Sequence, residues 1–149
     1  MRDNPQATGP MSTWKNVEAI PHAVQALSIL RSNWIIALAT NAVDSNEADI
    51  RSALQRVGLD KLVDKVYCFR SIGHKKPSNE FFKYILEDLK MNCSQVIMIG
   101  DSFKNDVLGA NKAGIHAIWF NPQSIENNTG RMSQTINSLD ELPIMLDSR

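Results

Sequence analysis

Asp101 and Asp106 stand five residues apart, directly after the apolar run Val96-Ile97-Met98-Ile99 and Gly100. A buried strand that stops at Gly-Asp pushes a carboxylate out of the end of a sheet. Asp106 then falls in the first turn of the next helix, near the same mouth. Two acids at that spacing suit a hard, oxygen-seeking cation such as Mg²⁺. Thr40 and Asn41 close another apolar run, and Ser71 and Lys75-Lys76-Pro77 follow a third. Thr40 and the amide of Asn41 would donate hydrogen bonds to phosphate oxygens, and Lys76 would neutralise charge as a point cation. Asp101 would hold the metal, while Asp106 would orient the metal's waters or the lysine. Thr40, Lys76 and Asp101 are expected to meet at one rim, forming a cradle for a phosphoryl group.

Elements of regular alternation must position these groups. Pro21 starts a helix over 22–32 with Val24, Leu27 and Leu30 on one face. Trp34 to Ala39 reads as a strand buried on both faces, because its apolar run is unbroken. Asp44 and Glu47 suggest a capping box for a helix carrying Ile50, Leu54 and Val57 and ending at Gly58. Lys65 to Phe69 is a second strand. Ser78 caps a helix with Phe82, Ile85, Leu86 and Leu89 as its core stripe. Strand 95–99, a helix from about Asn105 to Ala113 and strand 116–120 follow. Residues 121–135 read as a polar loop, and Ser138 with Glu141 as a capping box for a last short helix containing Leu142 and Leu146. Such alternation implies parallel crossovers and an open α/β, Rossmann-like sheet with helices on both faces. Ligands then bind outside the carboxyl ends of the strands. Residues 1–19, rich in small and polar types at their start, form a loose arm or cap remnant, and 20–149 the α/β core.

Bulk properties narrow the function. The chain has 149 residues, 43% of them hydrophobic, and a formal net charge of zero. That is enough for one domain with a core. There is no basic excess to grip a nucleic-acid backbone. The longest apolar run, Trp34 to Ala39, is far too short to span a membrane. Cys68 and Cys93 lie far apart without metal-ligand spacing, which points to reduced thiols in the cytoplasm.

The ordered motifs resemble the haloacid dehalogenase-like hydrolase superfamily over about 20–146. Ile20-Pro21 with Ala37-Leu38-Ala39-Thr40-Asn41 is similar to its second motif. Gly73-His74-Lys75-Lys76-Pro77 is similar to its third. Ile99-Gly100-Asp101-Ser102 with Asn105-Asp106-Val107, Gly109-Ala110 and Ala113-Gly114 is similar to its fourth. Ser138 to Pro143 resembles the usual C-terminal helix. Trp119-Phe120-Asn121-Pro122 is similar to branches that hydrolyse nucleotides or small sugar phosphates. The resemblance implies a Mg²⁺-dependent phosphomonoesterase acting on a small phosphorylated metabolite.

One motif departs. Family enzymes begin with a strand ending in Asp-x-Asp, whose first aspartate attacks phosphorus and whose second is the general acid/base. No Asp-x-Asp occurs in this sequence. The nucleophile and the cap module normally inserted after it are therefore expected to be missing, and the chain alone to be inactive. The absent strand would lie between those at 34–39 and 95–99. Its loss leaves central edges that demand cover. Three outcomes are expected to cover them: direct pairing of the flanking strands, filling by the N-terminal arm, or a strand from another chain, including a second copy. A non-catalytic phosphate- or metal-binding module, or a half-site completed by another chain, are the alternative functions.

Plainer readings exist for each residue. Asp101 and Asp106 could be a capping pair; the surrounding Gly-Asp-Ser, Gly-Ala and Ala-Gly pattern favours a metal role. Thr40 alone would be a strand-end residue that satisfies its own backbone. Lys75 reads as a solvated neighbour, and Ser71 and Ser102 as hydrogen-bond donors lacking a paired base. His22, His74 and His116 do not cluster in sequence, and Trp14, Trp34 and Trp119 form no stacking pattern, so packing or surface roles are assigned to them. A CheY-like receiver is the rival fold, but the acidic pair after its first strand and the aspartate ending its third are absent.

Overall fold

The computed structural model describes residues 20–123 and 132–147. The chain divides into two units, Met1–Gly73 with Leu142–Arg149, and His74–Glu141. The N-terminal arm and most of the polar loop after 120 lie outside the described residues.

In the first unit, α1 (Ala23–Leu30) precedes β1 (Ala37–Thr40), α2 (Glu47–Arg56) crosses to β2 (Lys65–Cys68), and the short α3 (Phe69–Ile72) follows; α6 (Leu142–Asp147) completes it. β1 and β2 pair in parallel, Ala37 opposite Lys65 and Thr40 opposite Cys68. The helix expected after Asp44 is capped two residues later than the sequence suggested. Asn46 accepts from the Asp49 N–H at 2.9 Å, and Asp49 accepts from the Asn46 N–H at 3.1 Å. The box therefore runs Asn46-x-x-Asp49, and Ile50, Ala53 and Leu54 are buried on the helix it starts. Arg51 ties the turn before β2 to that helix, donating to the carbonyls of Asp60 at 3.1 Å and Val63 at 2.7 Å.

Two expectations for this unit are corrected. On α1 the buried residues are Ala23, Ala26 and Leu30, while Val24 is exposed. Leu30 is buried as expected, but Ala23 and Ala26 share its packing side in place of Val24. Trp34 to Ile36 lie outside β1, and β1 itself is at most half-buried. Ile36 turns its backbone to the chain before β2, donating to the Asp64 carboxylate at 2.9 Å and accepting from the Asp64 N–H at 2.7 Å. An apolar strand is buried only as far as its neighbours cover it. β2 packs with α2 and α3 and is buried from Val66 to Cys68.

In the second unit, α4 (Asn79–Leu89) leads to β3 (Ile97–Gly100). A π-helical turn over Phe103–Leu108 runs into α5 (Gly109–Lys112), and then β4 (His116–Phe120) and β5 (Ser133–Ile136) follow. The sheet order is β3-β4-β5, parallel throughout. β5 lies where a polar loop was expected. Its sequence Ser-Gln-Thr-Ile carries a single buried side chain, Ile136, so hydrophobic periodicity gave no signal. Backbone pairing with β4 makes it a strand. The core gathers Phe81, Phe82, Val107, Ile115, Ile118 and Ile136, each at most 1% exposed. Phe81 and Phe82 meet edge to face with centroids 5.6 Å apart. At Ser78 the helix start falls where expected, but its hydroxyl bonds Glu80 rather than capping the backbone. At the C-terminal end Glu141 accepts from the N–H groups of Asn137 and Ser138, half of the capping box expected there.

Among the described residues β1 is bonded to β2 and β3 to β4. β3 is only half-buried along Ile97 to Gly100, although a buried strand was expected there.

Candidate functional site: the end of β3

β3 ends at Gly100, and the chain leaves it through Asp101 and Ser102 into the π-helical turn. Asp101 is exposed at this exit. Asp106, one turn on, is almost fully buried at 4% exposure. Its two carboxylate oxygens have separate tasks. Oδ1 accepts from Lys76 Nζ at 2.7 Å, and Oδ2 accepts from the Ser102 N–H at 3.1 Å. The Ser102 hydroxyl accepts from the Asn105 N–H at 3.1 Å, capping the same turn.

The Lys76–Asp106 pair is sheltered, with side-chain exposures of 11% and 5%. Burying both charges is costly unless geometry and further hydrogen bonds compensate. The Ser102 N–H supplies one such bond. The ammonium is thereby held at the end of β3 instead of sweeping through solvent.

Close packing makes this possible. A side chain on Gly100 would overlap the Asp106 carboxylate, so only glycine lets the acid lie over the strand's last residue. At Gly109 an added Cβ would stand 2.8 Å from Pro77 Cβ and 3.0 Å from the Phe82 ring. That approach seats the helix against the segment carrying Lys76.

The residues divide between the units. Lys76, Asp101, Ser102 and Asp106 all belong to the second. There the structure brings Lys76 and Asp106 into contact and leaves Asp101 next to Ser102 on the exit turn. Thr40 and Asn41 belong to the first, where Thr40 is the last residue of β1. Thr40 Oγ1 accepts from the Ala42 N–H at 3.1 Å, the self-satisfied strand end weighed as the plain reading. Its hydroxyl proton remains available for donation. Ser71 sits in α3 with its Oγ 3.2 Å from Cys68 Sγ.

For Mg²⁺ the donor chemistry at the β3 end fits in part. Such an ion usually takes one or two carboxylates and keeps waters or substrate phosphate as its other ligands. Asp101 suits the direct carboxylate role. Both oxygens of Asp106 are engaged, which suits it to holding Lys76. Among the described residues no group of three or more His, Cys, Asp or Glu gathers as a cage.

Sequence reasoning passed over Trp119 as packing. The structure places its indole N–H 3.1 Å from the Asp101 carbonyl and its ring edge to face against Phe103 at 5.0 Å. No local pattern signals this, because the contact spans 18 residues. The register that sets Trp119 opposite Gly100 creates it.

The family model for haloacid dehalogenase-like hydrolase matches residues 7–120. The chain is similar to pyrimidine 5'-nucleotidase YjjG of Escherichia coli (strain K12), 32% identical over 129 residues, covering 85% of this chain and 56% of that protein. It is similar in structure to the HAD-hydrolase YfnB from Bacillus subtilis bound to magnesium, with a TM-score of 0.77 and 26% identity, covering 86% of this chain and 56% of that one. An uncharacterized protein from Listeria monocytogenes serotype 4b shares the fold at a TM-score of 0.82 and 24% identity, covering 93% of this chain and 85% of that one. The chain spans about half the length of the curated relatives it matches. No described helix is long and apolar enough to cross a membrane. With three motifs in order, the Lys76–Asp106 pair at the β3 end and a family match over most of its length, the chain belongs to the haloacid dehalogenase-like hydrolases.

Proposed function

We propose that this chain carries the phosphate- and metal-handling part of a phosphomonoesterase acting on a small phosphorylated metabolite. The buried Lys76–Asp106 pair beside Asp101 carries this reading. Lys76 binds a phosphate oxygen as a fixed positive charge, and Asp106 keeps its ammonium in place. Thr40 and the Asn41 amide, at the end of β1, are candidate phosphate donors of the first unit taken by itself. Asp101 holds Mg²⁺, which when bound supplies charge neutralisation at the phosphoryl group. A phosphorylated nucleoside or sugar is the favoured substrate class, supported by the likeness to a pyrimidine 5'-nucleotidase.

No Asp-x-Asp occurs in the sequence, and on this reading the 149 residues alone do not turn over. Loss of a covalent nucleophile removes about 10⁴–10⁶ of the rate elsewhere. With Mg²⁺ and p-nitrophenyl phosphate the chain is expected to show no turnover. A rate above about 1 s⁻¹, within the ordinary enzyme range, would reveal a nucleophile among these residues. Calorimetry with inorganic phosphate and Mg²⁺ tests the binding role. Heat that disappears in Lys76→Ala supports it; wild type giving no heat overturns it.

A second reading, a half-site completed by another chain, is favoured by one observation. Ile97, Met98 and Ile99 are all partly exposed on a strand bonded to β4 alone among the described residues. A strand edge of that kind accepts an added strand. Sedimentation showing a monomer at all concentrations would remove self-association as the source of that strand.

A further inference from the structure

We propose that Trp119 is a positioning residue for Asp101, acting through the peptide group that joins Asp101 to Ser102. This rests on the reading of Asp101 as the carboxylate that holds Mg²⁺. The two ends of that single peptide group are bonded to different parts of the fold. The Asp101 carbonyl accepts from the Trp119 indole N–H at 3.1 Å. The N–H of the same peptide, on Ser102, donates to Asp106 Oδ2 at 3.1 Å. Asp106 in turn is anchored by Lys76 at 2.7 Å. The peptide plane is therefore fixed from both sides.

A fixed peptide plane fixes the backbone torsion that aims the Cα–Cβ bond of Asp101. The Asp101 side chain is exposed, so packing does little to orient it. The backbone does so instead. Trp119 is suited to this task because it is itself immobile. It is 5% exposed, it lies in β4 opposite Gly100, and its ring meets Phe103 edge to face at 62°. Phe103 opens the turn that carries Asp106. One indole thus supports both acids, Asp101 through its N–H and the Asp106 turn through its ring.

Phenylalanine at 119 keeps most of the ring and deletes only the donor. The test uses the full chain with Mn²⁺ as the probe, followed by the electron paramagnetic resonance signal of the free ion. Wild type binds one Mn²⁺, and Trp119→Phe binds it about five-fold more weakly, as expected for one lost hydrogen bond. The thermal midpoint of apo Trp119→Phe falls because the smaller ring leaves a void at a buried position, but the variant still unfolds cooperatively.

A second measurement reads the wild-type chain directly. In ¹⁵N-labelled wild type the Trp119 indole resonance, assigned by its loss in Trp119→Phe, shifts on adding Mg²⁺, and Asp101→Asn abolishes the shift. A merely structural tryptophan would give no metal-dependent shift. Equal Mn²⁺ affinity in wild type and Trp119→Phe, with a static indole resonance, overturns the role of Trp119 and leaves Asp101 as a metal ligand. Wild type that binds no Mn²⁺ overturns the metal reading itself, and the positioning role with it.

Discussion

The Asp106 carboxylate lies directly over Gly100, so closely that any β-carbon at position 100 would collide with it. The last residue of β3 and the acid of the next turn thus share one space. That overlap explains why the strand ends in glycine: not for backbone freedom, but to let a charged group reach Lys76.

Gly100→Ala is accordingly expected to destabilise the chain by about 1–3 kcal/mol, the usual cost of overpacking. The obstructing atoms include Asp106 Cβ, so the turn itself must shift. Urea unfolding measures the effect. Unchanged stability would show that Asp106 swings aside freely and that the close packing has no energetic weight.

Breaking the Lys76–Asp106 pair from one side should be more damaging than removing it altogether. Lys76→Met leaves the buried carboxylate without this cation, and Asp106→Leu leaves the ammonium without this carboxylate; each is expected to cost about 3–5 kcal/mol. The double variant should recover part of that loss. A double-mutant cycle with additive effects would contradict direct coupling across the 2.7 Å contact.

Asn46 is expected to carry the start of α2. Asn46→Ala removes the acceptor for the Asp49 N–H and should cost about 1 kcal/mol. Asp44→Ala, at the position first expected to cap, should change stability by less than about 0.5 kcal/mol. Thermal melts of the two variants separate the two caps.

Glu80 titrates below the ordinary carboxylate value, chiefly because the Ser78 hydroxyl donates to it at 2.6 Å, with its own backbone N–H, His74 and Lys83 adding to the effect. A depressed folded-state pKa gives stability that is present above the unfolded value and is lost as pH falls through the folded one. Ser78→Ala should therefore raise the Glu80 midpoint towards the ordinary value, read from its carboxyl carbon by NMR. A midpoint that does not move would assign the depression to the backbone and the neighbouring cations.

The sequence by itself determined the local features. An apolar run stopping at Gly100-Asp101 declares a strand end, because burial and turn chemistry are both written in adjacent residues. The order of motifs around Thr40, Lys76 and Asp101 identified the family for the same reason. Spacing left Asp106 with two roles, the metal's waters or the lysine. Tertiary structure seated Lys76 Nζ on Oδ1, a contact across 30 residues that no local pattern encodes. It also made Ser133–Ile136 a strand, since pairing with β4 depends on backbone hydrogen bonds rather than on side-chain polarity. The cap at Asn46 was decided by which of several polar residues met the helix start in the right geometry. Trp119 was legible as an apolar residue and nothing more; only the register of β4 against β3 brought its indole N–H to the Asp101 carbonyl. Chemistry along the chain is local and can be read in order, whereas partners are set by where the strands align.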